Sequence, residues 1–301
     1  MINGATKIVG VIGDPIEHSF SPTMFNAAFK SLKLNYVYVP FNVKKQDLSS
    51  AIAGAKALNI KGLNVTIPHK RKVLNEIDKF DVLANLIGAV NTIKFSSGKS
   101  YGYNTDCIGA VRAIEEVSKL KDKNVVIVGA GGAARAIAFQ IAISNVNKLT
   151  IVNRSINKAK SLLYDIKTLL SANFKDNSKI DNISLDFSHI DLNFNHGGIE
   201  SLHEYLKNAD ILIDTTPIGM HPNVNDKPVT TAKDMHPDLI VNDIVYNPQK
   251  TVLLKEAIKA NATTISGLKM LLYQGAENFK IWTGVEAPIE IMENALLDKI
   301  K

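Results

Sequence analysis

Val125-Val126-Ile127-Val128-Gly129-Ala130-Gly131-Gly132-Ala133-Ala134-Arg135 is the stretch that decides how this chain folds. Four β-branched residues run straight into a glycine-rich turn, and the turn opens an alanine-rich segment, Ala133 to Ile143, of good helix formers. A buried parallel strand that feeds a helix through Gly-x-Gly-x-x-Ala is the dinucleotide-binding fingerprint. Gly129 permits the tight turn, Gly131 lets a pyrophosphate approach the backbone, and Ala134 keeps the helix close to the sheet. The unpaired N–H groups of the helix start and its dipole then hold the phosphate charge. Gly129, Ala130, Gly131, Gly132 and Ala133 are therefore the expected phosphate-holding residues. A glycine turn alone would be weak evidence; its seat between a strand and a helix gives it weight.

The next strand selects the dinucleotide. Lys148-Leu149-Thr150-Ile151-Val152 reads as a short buried strand that ends in Asn153-Arg154-Ser155. An NAD site usually places a carboxylate about 20 residues after the first glycine, on the ribose 2′-hydroxyl. Here that neighbourhood holds Asn153, Arg154 and Ser155, with Lys158 just beyond. A guanidinium with no acid beside it suits a 2′-phosphate, so the expected cofactor is NADP(H). The bland alternative is that Arg154 and Lys158 are solvated charges at a helix start, although cations there oppose the helix dipole.

At 301 residues the chain has room for one large or two ordinary domains. Its 46% hydrophobic and 21% charged residues are those of a globular protein with ample core. No run of 18 or more apolar residues occurs, and Met1-Ile2-Asn3-Gly4-Ala5-Thr6-Lys7 has no signal-peptide pattern, so no membrane contact is expected. The single cysteine, Cys107, fits a reducing cytoplasm. No Cys-x-x-Cys or His-Glu-x-x-His pattern appears, and no metal is expected. The net charge of +6 does not point to nucleic acid, because the lysines are scattered rather than clustered with aromatics.

Around the fingerprint the chain alternates strands and helices. Strands are expected at 7–13, 35–41, 62–67, 89–95, 100–103, 148–152, 211–214 and 239–242. Helices are expected at 23–32, 46–58, 106–117, 156–170 and 268–282, with two short helical stretches after residue 67. The alternation argues a parallel α/β architecture. Residues 171–200 are polar and turn-rich, and read as an irregular excursion with one extra strand near Ile183-Ser184-Leu185.

Several polar residues stand where elements begin or end. His18-Ser19-Phe20-Ser21-Pro22 carries two hydroxyls; Ser21 reads as a helix N-cap, and Ser19 is less easily explained by capping. In Asn64-Val65-Thr66-Ile67-Pro68-His69-Lys70, Asn64 and Thr66 share one side of a strand and Lys70 follows the Pro68 turn. Asn91 sits in Gly88-Ala89-Val90-Asn91-Thr92, and Asp106 in Tyr103-Asn104-Thr105-Asp106, at a helix start. Taken singly, Asn91 reads equally as a turn residue, Asp106 as an N-cap and Lys70 as surface charge.

Taken together with Tyr273-Gln274-Gly275-Ala276, these motifs occur in the order and at spacings that resemble the shikimate dehydrogenase family, from Lys7 to about Gln274. The resemblance implies a two-domain α/β fold: an N-terminal substrate domain, residues 1–103, completed by a C-terminal helix over 270–301, and a Rossmann-type NADP-binding domain, residues 104–269. It implies reversible NADPH-dependent reduction of 3-dehydroshikimate to shikimate, a step of aromatic amino-acid biosynthesis. By the same similarity Ser19 and Ser21 bind the substrate carboxylate, and Asn64, Thr66, Asn91 and Gln274 hold ring hydroxyls. Lys70 and Asp106 form the catalytic pair, and Tyr246 lines the site. Ile244 and Gly267 flank the nicotinamide, and Thr216 belongs to the loop through which the cofactor enters. The expected assembly is a monomer or homodimer. One departure is Ser266, where the family usually has an acidic residue before the glycine.

Three other readings stay open on sequence. One is a quinate or quinate/shikimate dehydrogenase using NAD, against which Arg154 argues. Another is a non-catalytic NADP-binding regulator of the same fold, against which Lys70 and Asp106 argue. The third, a nucleic-acid binder, rests on the basic isoelectric point near 9.1 alone.

Overall fold

The structure is a computed structural model that describes residues 2–171 and 193–300. Its chain divides into two compact units, one of Met1–Thr105 with Leu272–Lys301, the other of Asp106–Leu271.

The first unit opens with β1 (Lys7–Gly13), α1 (Ser21–Ser31), β2 (Tyr36–Asn42), α2 (Leu48–Ala57) and β3 (Gly62–Val65). A short 3-10 turn over Lys72–Glu76 follows. Then come β4 (Lys79–Phe80), α3 (Val82–Ile87), β5 (Thr92–Ser96) and β6 (Lys99–Tyr103). Local chemistry fixes both ends of α3: the Asp81 carboxylate accepts from the Ala84 N–H, and Gly88 ends the helix in the left-handed region at φ 68°. The six strands lie in the order β2-β1-β3-β5-β6-β4.

This sheet is mixed rather than parallel throughout. β1 runs parallel to β2 and β3, but β5 is antiparallel to both β3 and β6. The cause is the Ser97-Gly98 reversal, both residues at positive φ, which joins β5 and β6 as a hairpin instead of a helical crossover.

The second unit runs α4 (Asp106–Glu115), β7 (Asn124–Val128), α5 (Gly132–Ala142), β8 (Lys148–Val152), α6 (Ile156–Ser171), β9 (Asn193–Gly197), α7 (Leu202–Leu206) and β10 (Ile211–Asp214). It continues through β11 (Ile240–Asp243), α8 (Val252–Lys259), β12 (Thr263–Ser266) and the start of α9 (Gly267–Thr283). All six strands are parallel, in the order β12-β11-β10-β7-β8-β9. Counted from β7 this is 3-2-1-4-5-6, the doubly wound dinucleotide order, with its switch point between β7 and β10. β7 is buried on both faces and α5 almost all round, which is why Val125–Val128 reads as a continuous apolar run and Ala133–Ala142 is interrupted only by Arg135 and Gln140.

Asn193–Gly197 corrects the reading of this stretch as irregular: it is β9, paired in parallel with β8. It has no β-branched residue and is held by its pairing with β8 rather than by propensity. The extra strand expected near Ile183 lies outside the described residues. Strand 62–67 ends at Val65, and Ile67 is exposed. The C-terminal stretch is two helices, α9 and α10 (Ile289–Ile300), not one over 270–301. Gly284, at φ 73°, ends α9 with its N–H on the Lys280 carbonyl, and Pro288 stands just before α10.

From Leu272 onward the chain belongs to the first unit. There Phe25 stacks on Tyr38 at 4.5 Å, Phe29 on Phe279 at 5.2 Å, and Trp282 sits 5.3 Å from Phe25. The Trp282 indole donates to the Ile93 carbonyl and fills the space that a side chain at Gly62 would need. The opposite face of the sheet is covered by Val43, Leu48, Ile52 and Val73 against Ile12, Leu63, Val65 and Ile93.

Candidate active site

The glycine turn of the second unit does what its residue types require. Gly129 sits at φ 113° at the end of β7, and a side chain on it would strike the Thr215 hydroxyl. Its N–H donates to Val152 and the Thr215 hydroxyl to Val128, so the turn is tied to the ends of two strands. Gly131 and Gly132 differ: a Cβ on either would meet open space, and Gly131 has an ordinary φ of −86°. No local clash demands glycine there. The N-terminus of α5 has no side-chain cap, which leaves its N–H groups to an incoming anion. Ala134, fully buried, is the residue by which α5 closes on the sheet.

Beyond β8, Asn153 donates from its backbone to Gly197 and from its side chain to the Ser155 carbonyl. That carbonyl also accepts the first bonds of α6, from Lys158 and Ala159. Arg154, Ser155 and Lys158 are exposed. Neither the Arg154 nor the Lys158 side chain has an ion-pair or hydrogen-bond partner among the described residues. Lys158 lies in the first turn of α6, where the dipole disfavours a cation. Open glycines, an uncapped helix start and two unneutralised cations fit an NADP molecule.

After β10 and β11 the second unit presents two loops. The buried Asp214 accepts from the Thr216 N–H at 2.8 Å and from its hydroxyl. The Thr216 side chain is thus committed within its own loop, where its oxygen also accepts from the Ile218 N–H. Asp243 accepts from the Val245 N–H and the Thr251 hydroxyl. Ile244 and Tyr246 follow it, partly exposed, and burial raises the Tyr246 pKa. Gly267 is glycine for a steric reason: a side chain would strike the Ile244 carbonyl. Ser266, the departure from the family pattern, accepts from the Leu268 N–H and so helps start α9.

In the first unit Ser21 is the first residue of α1, not its N-cap; Phe20 holds that position. Ser19 makes the local turn contact instead, accepting from the Ser21 N–H at 3.3 Å. The Ser21 hydroxyl bonds the Tyr38 phenol, whose burial pushes its pKa well up. That phenol donates to Asn64 Oδ1 at 2.8 Å.

From Asn64 a buried network spreads. Its Nδ2 donates to the Asn91 carbonyl and to Thr92 Oγ1. Asn91 Oδ1 accepts from the Thr105 N–H, and its Nδ2 donates to Thr105 Oγ1. Thr92 and Thr105 both donate to Asn278 Oδ1, at 2.6 and 2.8 Å, and Asn278 Nδ2 donates to Gln274 Oε1. Asn64, Asn91 and Gln274 are thereby brought together. Asn278 and Tyr38, which sequence reasoning missed, are the residues that join them.

Thr66 lies just past β3, its N–H on the Ile12 carbonyl, and its hydroxyl has no hydrogen-bond partner among the described residues. The turn from Thr66 closes with the His69 N–H on the Thr66 carbonyl. His69 is fully buried, and its Nε2 meets the Val43 carbonyl at 2.6 Å, so this nitrogen carries the proton. Lys70, half-buried, is fixed by its carbonyl, which accepts from Val90. Asp106 opens the second unit as the first residue of α4, inside the helix rather than capping it, where a carboxylate suits the dipole. Among the described residues no group of three His, Cys, Asp or Glu could hold a metal, and no helix is long and apolar enough to cross a membrane.

One chain thus carries a doubly wound dinucleotide-type unit and an α/β unit with a buried amide–hydroxyl network, the two parts that a nucleotide-dependent dehydrogenase needs. Residues 11–93 match the shikimate dehydrogenase substrate binding domain, 112–184 the shikimate/quinate 5-dehydrogenase family, and 267–297 the shikimate 5′-dehydrogenase C-terminal domain. The chain is 58% identical over 297 residues to the shikimate dehydrogenase (NADP(+)) of Methanobrevibacter smithii, covering 98% of each. A crystal structure of a shikimate dehydrogenase in complex with NADP+ superposes with a TM-score of 0.89 at 51% identity, over 100% of this chain and 98% of that one. The Listeria monocytogenes shikimate 5-dehydrogenase in complex with shikimate and NAD gives 0.85 at 35%, over 98% of both. The chain belongs to the shikimate dehydrogenase family.

Proposed function

We propose that this protein is an NADP-dependent oxidoreductase that interconverts 3-dehydroshikimate and shikimate. The reading is carried by the full-length likeness to an NADP(+) shikimate dehydrogenase. It is supported by a glycine turn open to a pyrophosphate and by Arg154 with no partner among the described residues.

When bound, NADPH supplies the hydride. Reduction leaves developing negative charge on the substrate oxygen, and the Lys70 ammonium delivers the proton to it. Asp106 orients that exchange and accepts from a substrate hydroxyl; in the oxidative direction the Lys70 amine takes the proton back. Asn64, Asn91 and Gln274, held by the buried network, hold the ring hydroxyls together with Thr66. Ser19 and Ser21 take the carboxylate, and Tyr246 lines the site. On the cofactor side, Gly129 to Ala133 hold the pyrophosphate, and Asn153, Arg154, Ser155 and Lys158 the 2′-phosphate. Ile244 and Gly267 offer backbone to the nicotinamide, and Thr216 contributes through its loop. The 1–103 and 270–301 stretches thus serve the substrate, and 104–269 the cofactor. The protein works in the cytoplasm as a monomer or homodimer, on small molecules only.

The direct test follows absorbance at the nicotinamide band with shikimate and NADP+, then with quinate and NAD+. The expected result is turnover with the first pair far above the second. Preference for quinate and NAD+ would overturn the assignment.

A further inference from the structure

β10 and β11 each end in an aspartate. Asp214 and Asp243 are register partners on neighbouring parallel strands, and they are 1% and 0% exposed. Their side chains interact: burial and the charge of Asp243 lift Asp214 to about 7, and burial lifts Asp243 to about 6. Two carboxylates this close and this dry do not both ionise readily near neutral pH. Burying an acid pair is costly, and neither residue has a place in the proton chemistry above. The next strands outward offer no counter-ion, since the register partners are Val128 on β7 and Ser266 on β12.

What the pair does have is four hydrogen bonds into two loops. Asp214 holds the Thr216 N–H and hydroxyl. Asp243 holds the Val245 N–H at 2.9 Å and the Thr251 hydroxyl at 2.6 Å, and Thr251 in turn caps α8 through the Leu254 N–H. Further out the two loops are joined to one another: the His221 N–H donates to the Asn247 carbonyl. Thr216, Ile244 and Tyr246, all assigned above to the cofactor or substrate, ride on these loops, and Gly267 packs on the Ile244 carbonyl.

We propose that Asp214 and Asp243 are a pair of positioning residues, an acid clamp in which each acid fixes the loop that follows its own strand, Asp214 loop 215–221 and Asp243 loop 244–251, and the pair thereby sets the affinity for the nicotinamide cofactor. The clamp acts through hydrogen-bond acceptance, not through net charge. It rests on the dehydrogenase reading above only for what the loops hold.

The test uses the full-length enzyme and compares Asp214→Asn, Asp214→Leu and Thr251→Val. Steady-state KM for NADP+, KM for shikimate and kcat are measured, with NADPH dissociation constants from fluorescence titration. Asp214→Leu removes both acceptors and is expected to raise the KM for NADP+ and the NADPH dissociation constant about tenfold or more, leaving the shikimate KM within about twofold. Asp214→Asn keeps an acceptor for the Thr216 N–H and is expected to restore both to within about threefold of the natural chain. Thr251→Val removes one of the two bonds that Asp243 makes to the second loop and leaves the one from the Val245 N–H, and is expected to weaken NADPH by a smaller factor in the same direction. It also keeps the proposal exposed should the leucine variant not fold.

A merely structural role would lower the folded fraction without moving the NADP+ constants. Unchanged NADPH affinity in a folded Asp214→Leu or in Thr251→Val overturns the clamp. So does an asparagine variant as impaired as leucine, since charge would then be the essential property. Natural protein that binds NADPH but does not oxidise shikimate defeats the functional reading and leaves the clamp to be judged by the binding constants. Natural protein that binds no NADPH overturns both.

Discussion

Asn64, Asn91, Thr92, Thr105, Gln274 and Asn278 of the first unit are joined by hydrogen bonds into a buried network, whereas the side chains of Arg154 and Lys158 of the second stand exposed with no partner among the described residues. The contrast follows from the ligands the two regions suit. Neutral hydroxyl groups are told apart only by donors and acceptors already held in place, and a network in a dry interior holds them. A phosphate dianion binds strongly to a flexible, solvated cation, and keeping that cation in water until the ligand arrives avoids the cost of burying it unpaired. Variants in the first unit should therefore alter turnover, substrate handling and stability, and variants of the open positions in the second should alter cofactor affinity at little cost in stability.

The largest effect is expected at Lys70. Lys70→Ala should lower kcat by roughly 10²–10⁴-fold with the melting transition retained, as for loss of a general acid–base group. Normal turnover in a folded variant would return Lys70 to the class of surface charges and break the assignment of chemistry to the first unit.

Asn278 sharpens the comparison from the side of stability. Asn278→Ala leaves two buried hydroxyls and the Gln274 carbonyl oxygen short of a partner, for an expected loss of about 2–4 kcal/mol in denaturant unfolding. The shikimate KM should rise with it, through Gln274, and the NADP+ KM should not. A loss under about 0.5 kcal/mol would mean that water replaces Asn278 without cost.

The glycine turn contains the same contrast in miniature. Gly129→Ala forces a side chain into φ 113° and against Thr215, and should cost about 1–3 kcal/mol of stability. Gly131→Ala meets open space and should stay within about 0.5 kcal/mol of the natural stability. It should nevertheless weaken NADPH roughly tenfold or more, because the methyl group stands where the pyrophosphate approaches the backbone. Equal stability losses for the two variants would erase the distinction between a glycine kept for the fold and one kept for a ligand.

The two regions also differ in how much could be read from sequence. The second unit's site is local: strand, glycine turn, helix and the Asn153-Arg154-Ser155 end of the next strand are each contiguous, so spacing alone exposed them. In the first unit single members stood out as polar residues at strand ends, but the connections did not. Asn278 reaches Thr92 across 186 positions, and Tyr38 reaches Asn64 from another strand, which no periodicity signals. Ser19 and Ser21 were legible as a pair, but neither caps α1: the helix starts one residue earlier than the hydroxyl pattern suggests, with Phe20 at the N-cap. α8 was overlooked although Thr251 before Val252-Leu253-Leu254 is a readable cap, and the break between α9 and α10 was written in Gly284 and Pro288. β9 had no such signal. The acid pair at the ends of β10 and β11 looks in sequence like two unrelated strand-end aspartates, and only the sheet order makes them neighbours.

The most direct measurement is the pair of dissociation constants for NADPH and NADH, taken on the natural chain and on Arg154→Ala. A hydrogen bond to a charged group contributes about 1.5–3 kcal/mol, so NADPH should weaken roughly 10- to 100-fold in the variant. NADH, which has no 2′-phosphate, should bind both proteins nearly alike, and the natural chain should favour NADPH. Equal losses for the two cofactors, or a natural preference for NADH, would contradict the reading of the exposed Arg154 as the group that recognises the phosphate.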